Sequence, residues 1–435
     1  MNLAISLNQK RGKSPKVYVT EGFPIIKVIN ITGHGLDWNT DFVSSIFFNE
    51  NKEYHLKKYD VLVCCTGVGS LGKVDILENE TCCITVPENA FLRVEDPLLA
   101  YYILYFLRSR FGQTQIERLA SGGTGQTHLY PEDLKRIQIL IPKSKEKMQE
   151  IVEKIQGQEE EANIKLEETL RIEERYNQIV LDELGVTFTE EPVISYFSVP
   201  RDEFENKTNR LDAHFFDPKY YEAMEVIHKL TDKEGIKVSS LGKLLADSET
   251  KLTGGATPKG AVYPLEGIPF VRVQNVKKGR IDVEGAKRIE RRIHVGLLKR
   301  SKLKPMDVLL TITGTYGISA VVPKDLEEAN INQHIVKIEV NQDEIDPCYL
   351  SCFLNSEVSR RQTDRAVTGG TRPALDYPAV RSLTIAYPES LAKQRRIAHR
   401  ADDLLKRMIQ KQNEYNELTE KTYAIFSDML NRIAN

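Results

Sequence analysis

Two stretches of this chain carry apolar residues at three- and four-residue spacing for about 40 positions each. In the first, Met148, Val152, Ile155, Ala162, Leu166, Leu170, Val180 and Leu184 share one stripe, interrupted by Glu173 and Asn177. In the second the stripe is Ile397, Ala401, Leu404, Met408, Tyr415, Leu418, Ile425 and Met429. Such spacing predicts two long helices, each with one narrow seam and a length of about 60 Å at 1.5 Å per residue. A helix that is polar on every other face cannot bury itself, so each needs a partner. The expected partner is the other long helix. Elsewhere short β-like runs alternate with glycine and proline, which predicts short strands and turns.

The chain repeats itself at a distance near 246 residues. Phe23-Pro24-Ile25-Ile26 matches Ile268-Pro269-Phe270-Val271, and Asp60-Val61-Leu62-Val63 matches Asp307-Val308-Leu309-Leu310. Thr66-Gly67 falls on Thr313-Gly314, Gly122-Gly123-Thr124 on Gly369-Gly370-Thr371, and Ile139-Leu140-Ile141-Pro142 on Ile385-Ala386-Tyr387-Pro388. Asp182 and Leu184 fall on Asp428 and Leu430. A period this long means duplicated domains and not a solenoid. The expected fold is α+β, with mixed α/β domains at 1–145 and 187–390 and long helices at 146–186 and 391–435. An antiparallel helix pair would relate the halves by a pseudo-twofold. Copy two has Val238 to Leu245 before Gly254-Gly255-Ala256-Thr257-Pro258, whereas copy one reaches Gly12-Lys13-Ser14-Pro15 almost at once. Copy one is therefore expected to lack most of an opening strand, with the C-terminal end compensating.

Charge sharpens this picture. The first helix holds 12 acidic and five basic residues between Glu146 and Leu184, the second nine basic and six acidic between Leu391 and Ile433. Opposite signs favour their pairing modestly, because exposed ion pairs contribute little. The formal net charge is -2, so any polyanion-binding charge must be local. Between Lys287 and Lys304 eight basic residues, Arg288, Arg291 and Arg292 among them, face Glu290 alone. A solvated face is the alternative reading. No apolar run approaches the roughly 20 residues that span a bilayer, and Met1 to Ser14 has no signal-like apolar core. The expected location is the cytoplasm, without membrane attachment. Six cysteines make no disulfide framework. Cys64-Cys65 and Cys82-Cys83 lie in β-like runs, where neighbours point to opposite faces, so buried thiols are expected rather than a metal site.

One motif invites an enzymatic reading. Gly67-Val68-Gly69-Ser70-Leu71-Gly72-Lys73 fits two phosphate-loop patterns, but both need a helix immediately afterwards to hold the anion. Val74 to Glu80 reads as strand and turn, so a glycine-rich turn is expected. The chain has no Pro-Pro dipeptide, HExxH or GxSxG, and its histidines are scattered. What remains suits DNA. The loop from Arg118 to His128, with Thr124 and Gln126, and its counterpart from Arg365 to Arg372, with Thr371, offer N–H groups and hydroxyls for phosphate and long polar side chains for base edges. A structural turn is the alternative for both. Asn30 and Thr32 in copy one, and Gln274, Asn275, Lys277 and Lys278 in copy two, follow matching strands and are further candidates.

Two diverged copies, each with a Thr-Gly turn after Asp-Val-Leu, a Gly-Gly-Thr loop, a β-run ending in proline and a long helix with Gln149 or Gln394 near its start, resemble the specificity subunits of type I restriction-modification systems. Arg210-Leu211-Asp212-Ala213-His214-Phe215-Phe216-Asp217-Pro218 resembles the lead-in to a target-recognition domain. The resemblance implies two target-recognition domains, each reading half of a split double-stranded DNA site through the major groove. It implies a coiled-coil spacer that docks two modification subunits, and restriction subunits in the full complex. S-adenosylmethionine, ATP and magnesium would be bound by those partners, leaving this chain with no cofactor and no catalysis. Alternatives are the recognition subunit of another restriction class, a nucleotide-binding enzyme using Gly67 to Lys73, and a coiled-coil scaffold without sequence preference.

Overall fold

A computed structural model describes residues 8–67, 69–122, 127–188, 197–199, 210, 212–247, 252–258, 260, 262–369 and 373–434. The chain divides into two compact units, Met1–Glu167 with Lys411–Asn435, and Glu168–Gln410. In the first unit β1 (Asn8–Arg11), β2 (Phe23–Ile26), β3 (Phe42–Val43), β4 (Val61–Cys64), β5 (Val74–Ile76), β6 (Ile84–Thr85) and β7 (Asn89–Arg93) form two sheets. Their orders are β1-β7-β4-β5, antiparallel throughout, and β3-β2-β6, in which β2 and β6 are parallel.

The second unit repeats the plan. It contains β8 (Ile236–Ser240), β9 (Leu252–Gly254), β10 (Ile268–Val271), β11 (Val276–Lys277), β12 (Arg280–Ile281), β13 (Lys287–Ile289), β14 (Val308–Thr311), β15 (Ser319–Val321), β16 (Asn330–Ile331), β17 (Ile335–Ile338) and β18 (Thr384–Pro388). The sheets β15-β14-β17-β9 and β13-β10-β16 reproduce both orders of the first unit. The antiparallel pair β8–β18 has no counterpart among the described residues of the first unit. It uses Ile236 to Ser240, which overlaps the Val238-to-Leu245 stretch of copy two.

The duplication reaches single bonds. Tyr59 and Met306, 247 positions apart, both take a left-handed backbone, with φ 69° and 70°. Each precedes an aspartate that closes its own turn: Asp60 accepts from the Lys57 N–H at 2.8 Å, Asp307 from the Lys304 N–H at 2.7 Å. Gly12 and Gly255 each press backbone on backbone, since an added Cβ would lie 1.7 Å from the Thr85 carbonyl oxygen and 1.9 Å from that of Ile331. Asp-Pro starts a core helix in both units (Pro97–Arg108 and Pro347–Leu354): Asp96 accepts from the Leu98 N–H and Asp346 from the Cys348 N–H, both at 3.0 Å. These caps satisfy donors that a helix start leaves open.

The long helices are Lys145–Leu184 and Leu391–Ala434. In the first unit Met148, Ile151, Val152 and Ile155 pack with Phe426, Met429 and Leu430 against Tyr102, Tyr105 and Phe106, and Lys165 faces Glu414 at 3.7 Å. In the second, Tyr176, Ile179, Val180 and Leu184 share a core with Ile397, Ala398, Ala401 and Leu405, and Glu183 meets Arg400. Early residues of one helix meet late residues of the other in each unit, so the pairing is antiparallel. The C-terminal segment thus completes the first unit's core.

The seam differs from the expected one at Leu170, which is 55% exposed. Thr169 (5%) and Tyr176 (3%) take the inward places, continuing a seven-residue step from Ile155 and Ala162. The partner helix does the same through Ala401, Tyr415 and Thr422 to Met429, all buried. A polar threonine holds a seam position in each helix, which a search for apolar residues passes over. A strict seven-residue step keeps the seam facing its partner.

The cysteines fall as expected with one exception. Cys64 and Cys65 enter cores on opposite faces of β4, and Cys83 is buried, but Cys82 is exposed because β6 starts only at Ile84. The stretch from Gly67 to Lys73 runs into strand β5 and not into a helix. Among the described residues no helix is long and apolar enough to cross a membrane.

Phe426→Ala should cost about 3–5 kcal/mol by emptying a fully buried site, and Leu170→Ala within about 0.5 kcal/mol, in denaturant unfolding. Equal losses would place the seam through Leu170 after all.

Candidate nucleic-acid interface

In the first unit the carboxyl ends of β2, β4 and β6 lie together with the start of β7. Ile26 pairs with Thr85 and Cys64 with Asn89. Asn89, fully buried, ties them by donating to the Ile26 carbonyl at 3.2 Å and the Thr85 hydroxyl at 3.0 Å. Three sequence-distant connections emerge at this end. They are the turn after Ile26, the chain at Gly12-Lys13 (the Lys13 N–H donates to Thr85 O at 2.8 Å), and the glycine loop, whose His128 bridges to both Thr66 and Ser121.

The second unit repeats this arrangement. Val271 pairs with Ile331 and Thr311 with Ile335. The Gly255 N–H donates to Ile335 O at 3.4 Å, and Ala374 bridges to Thr313 and Thr368. Thr124, Gln126, Thr371 and Arg372 lie outside the described residues. One sheet end in each unit therefore carries a glycine-rich loop, a tight turn and a Gly-led approach strand.

Two candidates there prove to be scaffolding. Asn30 is fully buried and Asn275 is 2% exposed. The Oδ1 of each accepts the N–H three residues back, from Lys27 at 2.8 Å and from Arg272 at 3.1 Å. Asn30 also donates to Asn39 O at 3.1 Å and accepts from the Thr40 hydroxyl at 3.0 Å. Burial keeps both amides from the surface, and the turn takes the Oδ1 of each. Thr32 uses its hydroxyl within its own turn, donating to Gly35 O at 2.8 Å and accepting from the His34 N–H at 3.0 Å.

The hairpin after each turn is fastened to the first long helix. In the first unit Asp75, fully buried, accepts from the Gly33 and Gly35 N–H groups at 3.0 and 2.9 Å. Arg108, with only 8% of its side chain exposed, bridges Asp75 at 2.5 Å and helix residue Glu159 at 2.7 Å. Burial opposes the guanidinium's charge, but Glu159 and Asp75 outweigh it and push its pKa upward. His34 beside it is pushed below the ordinary imidazole value, by burial first and Arg108 second.

In the second unit Lys278 does this work. It donates to Glu173 at 2.9 Å and Asn177 at 3.0 Å, the two polar residues that interrupt the helix stripe. Lys278 is thus engaged as a helix anchor. At Arg108's matching position stands Asn355, which bonds Ser319 through both its amide groups at 2.9 Å and reaches the Tyr176 hydroxyl at 3.5 Å. The Arg108–Asp75–Glu159 triad escaped the sequence reading because its counterpart uses another residue type.

The two matched arginines have diverged. Arg118 is exposed at the end of its helix (Arg110–Leu119), with no hydrogen bond or ion pair to a described residue. Arg365 donates to Phe215 O at 3.1 Å and stacks over the Phe215 and Tyr221 rings at 4.3 and 4.9 Å. It holds the lead-in segment, so its side chain already has structural partners. In the basic run Arg291 is bidentate to Glu328 at 3.0 Å, and Arg292 bonds Glu290 at 2.5 Å. Arg288 is half-buried on β13 opposite Pro269. Gln274, Lys277, Lys299 and Arg300 are exposed. None of these four has a polar side-chain partner among the described residues.

Arg108→Ala should cost about 3 kcal/mol, because it removes the charge partner of the fully buried Asp75 and of the half-buried Glu159, while Arg118→Ala should stay within about 0.5 kcal/mol. Thermal unfolding of both variants measures this, and a neutral Arg108→Ala would remove the triad's structural role.

The sequence profile of the family described as Type I restriction modification DNA specificity domain matches residues 7–174 and 242–420, one region per copy. The type I restriction enzyme EcoBI specificity subunit of Escherichia coli is 27% identical over 149 residues, which span 33% of this chain and 31% of that subunit. Among solved structures, the type I restriction-modification system S subunit from M. genitalium is covered over 95% of its length by 100% of this chain, at 16% identity and TM-score 0.42. The HsdS subunit from Thermoanaerobacter tengcongensis is covered over 96% by 99% of this chain, at 14% identity and TM-score 0.33. With both halves matched, this chain belongs to the type I restriction-modification DNA specificity family.

Proposed function

We propose that this chain is the sequence-reading subunit of a type I restriction-modification assembly. Each unit reads one half of a bipartite double-stranded DNA target, and the chain performs no chemistry of its own. The observation that carries this reading is the duplicated sheet end, where matched backbone frames present unmatched exposed side chains. A reader of two different half-sites needs that combination: a common way of meeting the duplex and different groups for the base edges. Backbone N–H groups and hydroxyls of the glycine loops, Thr124 and Thr371 included, suit phosphate, and Gln126, Arg118 and Arg372 are long enough for bases.

Two modification subunits would dock on the polar faces that the helix seam leaves exposed, and restriction subunits would complete the complex. Adenine methylation with S-adenosylmethionine, and ATP- and magnesium-dependent cleavage, belong to those partners in the cytoplasm. The Gly67–Lys73 turn does not compete as a nucleotide site, because strand β5 follows it and supplies no helix N-terminus for phosphate.

Sequencing the methylated positions of cells that carry the full operon tests the reading: a motif of two specified parts separated by unspecified bases is expected, and one uninterrupted motif would refute it. Lys299→Ala with Arg300→Ala should reduce the slope of log affinity against log salt by about 0.9 per lost phosphate contact. Fluorescence anisotropy of the assembled complex reads this, and an unmoved slope takes the basic run off the DNA.

A further inference from the structure

We propose that the middle residue of the duplicated turn, Ile29 in the first unit and Gln274 in the second, is a base-reading position. The inference rests on the chain being a DNA-sequence reader, and it names where in each unit one base pair is discriminated.

The turns Val28–Asn30 and Val273–Asn275 are the same object built twice, 245 residues apart. In both, the asparagine N–H donates to the carbonyl three residues back, at 3.1 Å to Lys27 and 2.8 Å to Arg272. Its Oδ1 accepts the N–H of that same residue. Its carbonyl accepts a further N–H seven residues on, from Asp37 and Asp282, both at 2.8 Å. The asparagine is buried, and Val28 packs against two apolar clusters. Only the middle side chain is released. Ile29 is 78% exposed, and Gln274 is exposed with no polar partner among the described residues.

A lone exposed isoleucine needs no explanation by itself. Here it occupies the one position of a bond-for-bond repeated frame that the frame does not use, and its twin is chemically different. The position is also held firmly. The hairpin that follows each turn is bonded to the first long helix through Asp75–Arg108–Glu159 in one unit and Lys278–Glu173 in the other. Both turns stand at the sheet end that carries the glycine loop. Cations flank the second one: Lys277 is exposed, and Lys287, also exposed, pairs with Phe270 at the strand end that leads into the turn.

Chemistry assigns the bases. A glutamine amide matches the N6 donor and N7 acceptor of adenine in the major groove. Isoleucine has no polar group, and the apolar feature of a major-groove base edge is the thymine methyl. Gln274 therefore reads an adenine in one half-site and Ile29 a thymine in the other.

The test uses the chain assembled with its methyltransferase partners and a pool of randomised duplexes. Four variants are compared with wild type, Gln274→Ala, Gln274→Ile, Ile29→Ala and Ile29→Gln, all at exposed positions. Expected is the loss of one base preference in one half-site per variant, by roughly 5- to 150-fold for Gln274→Ala, with the other half-site and binding to unrelated duplex unchanged. Replacing thymine by uracil at the affected pair should weaken wild type and leave Ile29→Ala unmoved. Retention of the full wild-type motif by all four variants, or equal weakening on every sequence, would overturn the assignment while leaving the sequence-reading function standing. A wild type without any sequence preference would overturn both.

Discussion

The charged anchor that ties each sheet end to a long helix, buried in the first unit and half-exposed in the second, is the constraint on which the rest depends. Arg108 sits between Asp75 and Glu159 with 8% of its side chain exposed, and Asp75 in turn holds the backbone of Gly33 and Gly35. Loop, core helix and long helix thus share one network. Such a network contributes little net stability, because desolvation of the ions offsets most of their attraction. Its effect is geometric. Buried ions tolerate few arrangements, so the loop keeps one position relative to its helix, and a side chain at that loop keeps one aim.

The two units solve this problem with different chemistry on one frame. The first uses an arginine triad; the second uses Lys278 on Glu173 and Asn177, with Asn355 bonded to Ser319 where Arg108 would stand. What stays fixed is backbone: the left-handed Tyr59 and Met306, the aspartate-closed turns, the asparagine-closed turns and the close approach at Gly12 and Gly255. Backbone geometry fixes how a sheet end meets a partner, whereas side chains fix what is recognised. Divergence confined to side chains lets two copies share one approach and differ in preference.

Much of this was legible in the amino-acid order, and the limits have physical causes. The duplication and the strand-turn pattern could be read because Asp-Val-Leu and Gly-Gly-Thr mark tight turns that tolerate few residues. The helix seam could be read except near Leu170, where Thr169 and Tyr176 face inward and break an apolar-only search. The site was less legible. Asn30 and Asn275 have the side chain of a base reader and the job of a turn closure, which only burial separates. Arg118 and Arg365 occupy matched places, yet one is exposed and the other lies on two aromatic rings. Ile29 carried no polar signal and was passed over, although its match to Gln274 was visible.

Charge explains how a chain of net charge -2 can serve a polyanion partner. Within the basic run Arg291 is held by Glu328, Arg292 by Glu290 and Lys304 by Glu339. Phosphate must displace those carboxylates before it gains these cations, so their contribution to sequence-independent attraction is reduced. Because that attraction acts on target and non-target duplexes alike, reducing it leaves the ratio of their affinities, which is specificity, unchanged. Restrained cations therefore lower overall attraction to duplex without favouring one sequence over another, and any preference between sequences has to come from groups that face base edges and not phosphate.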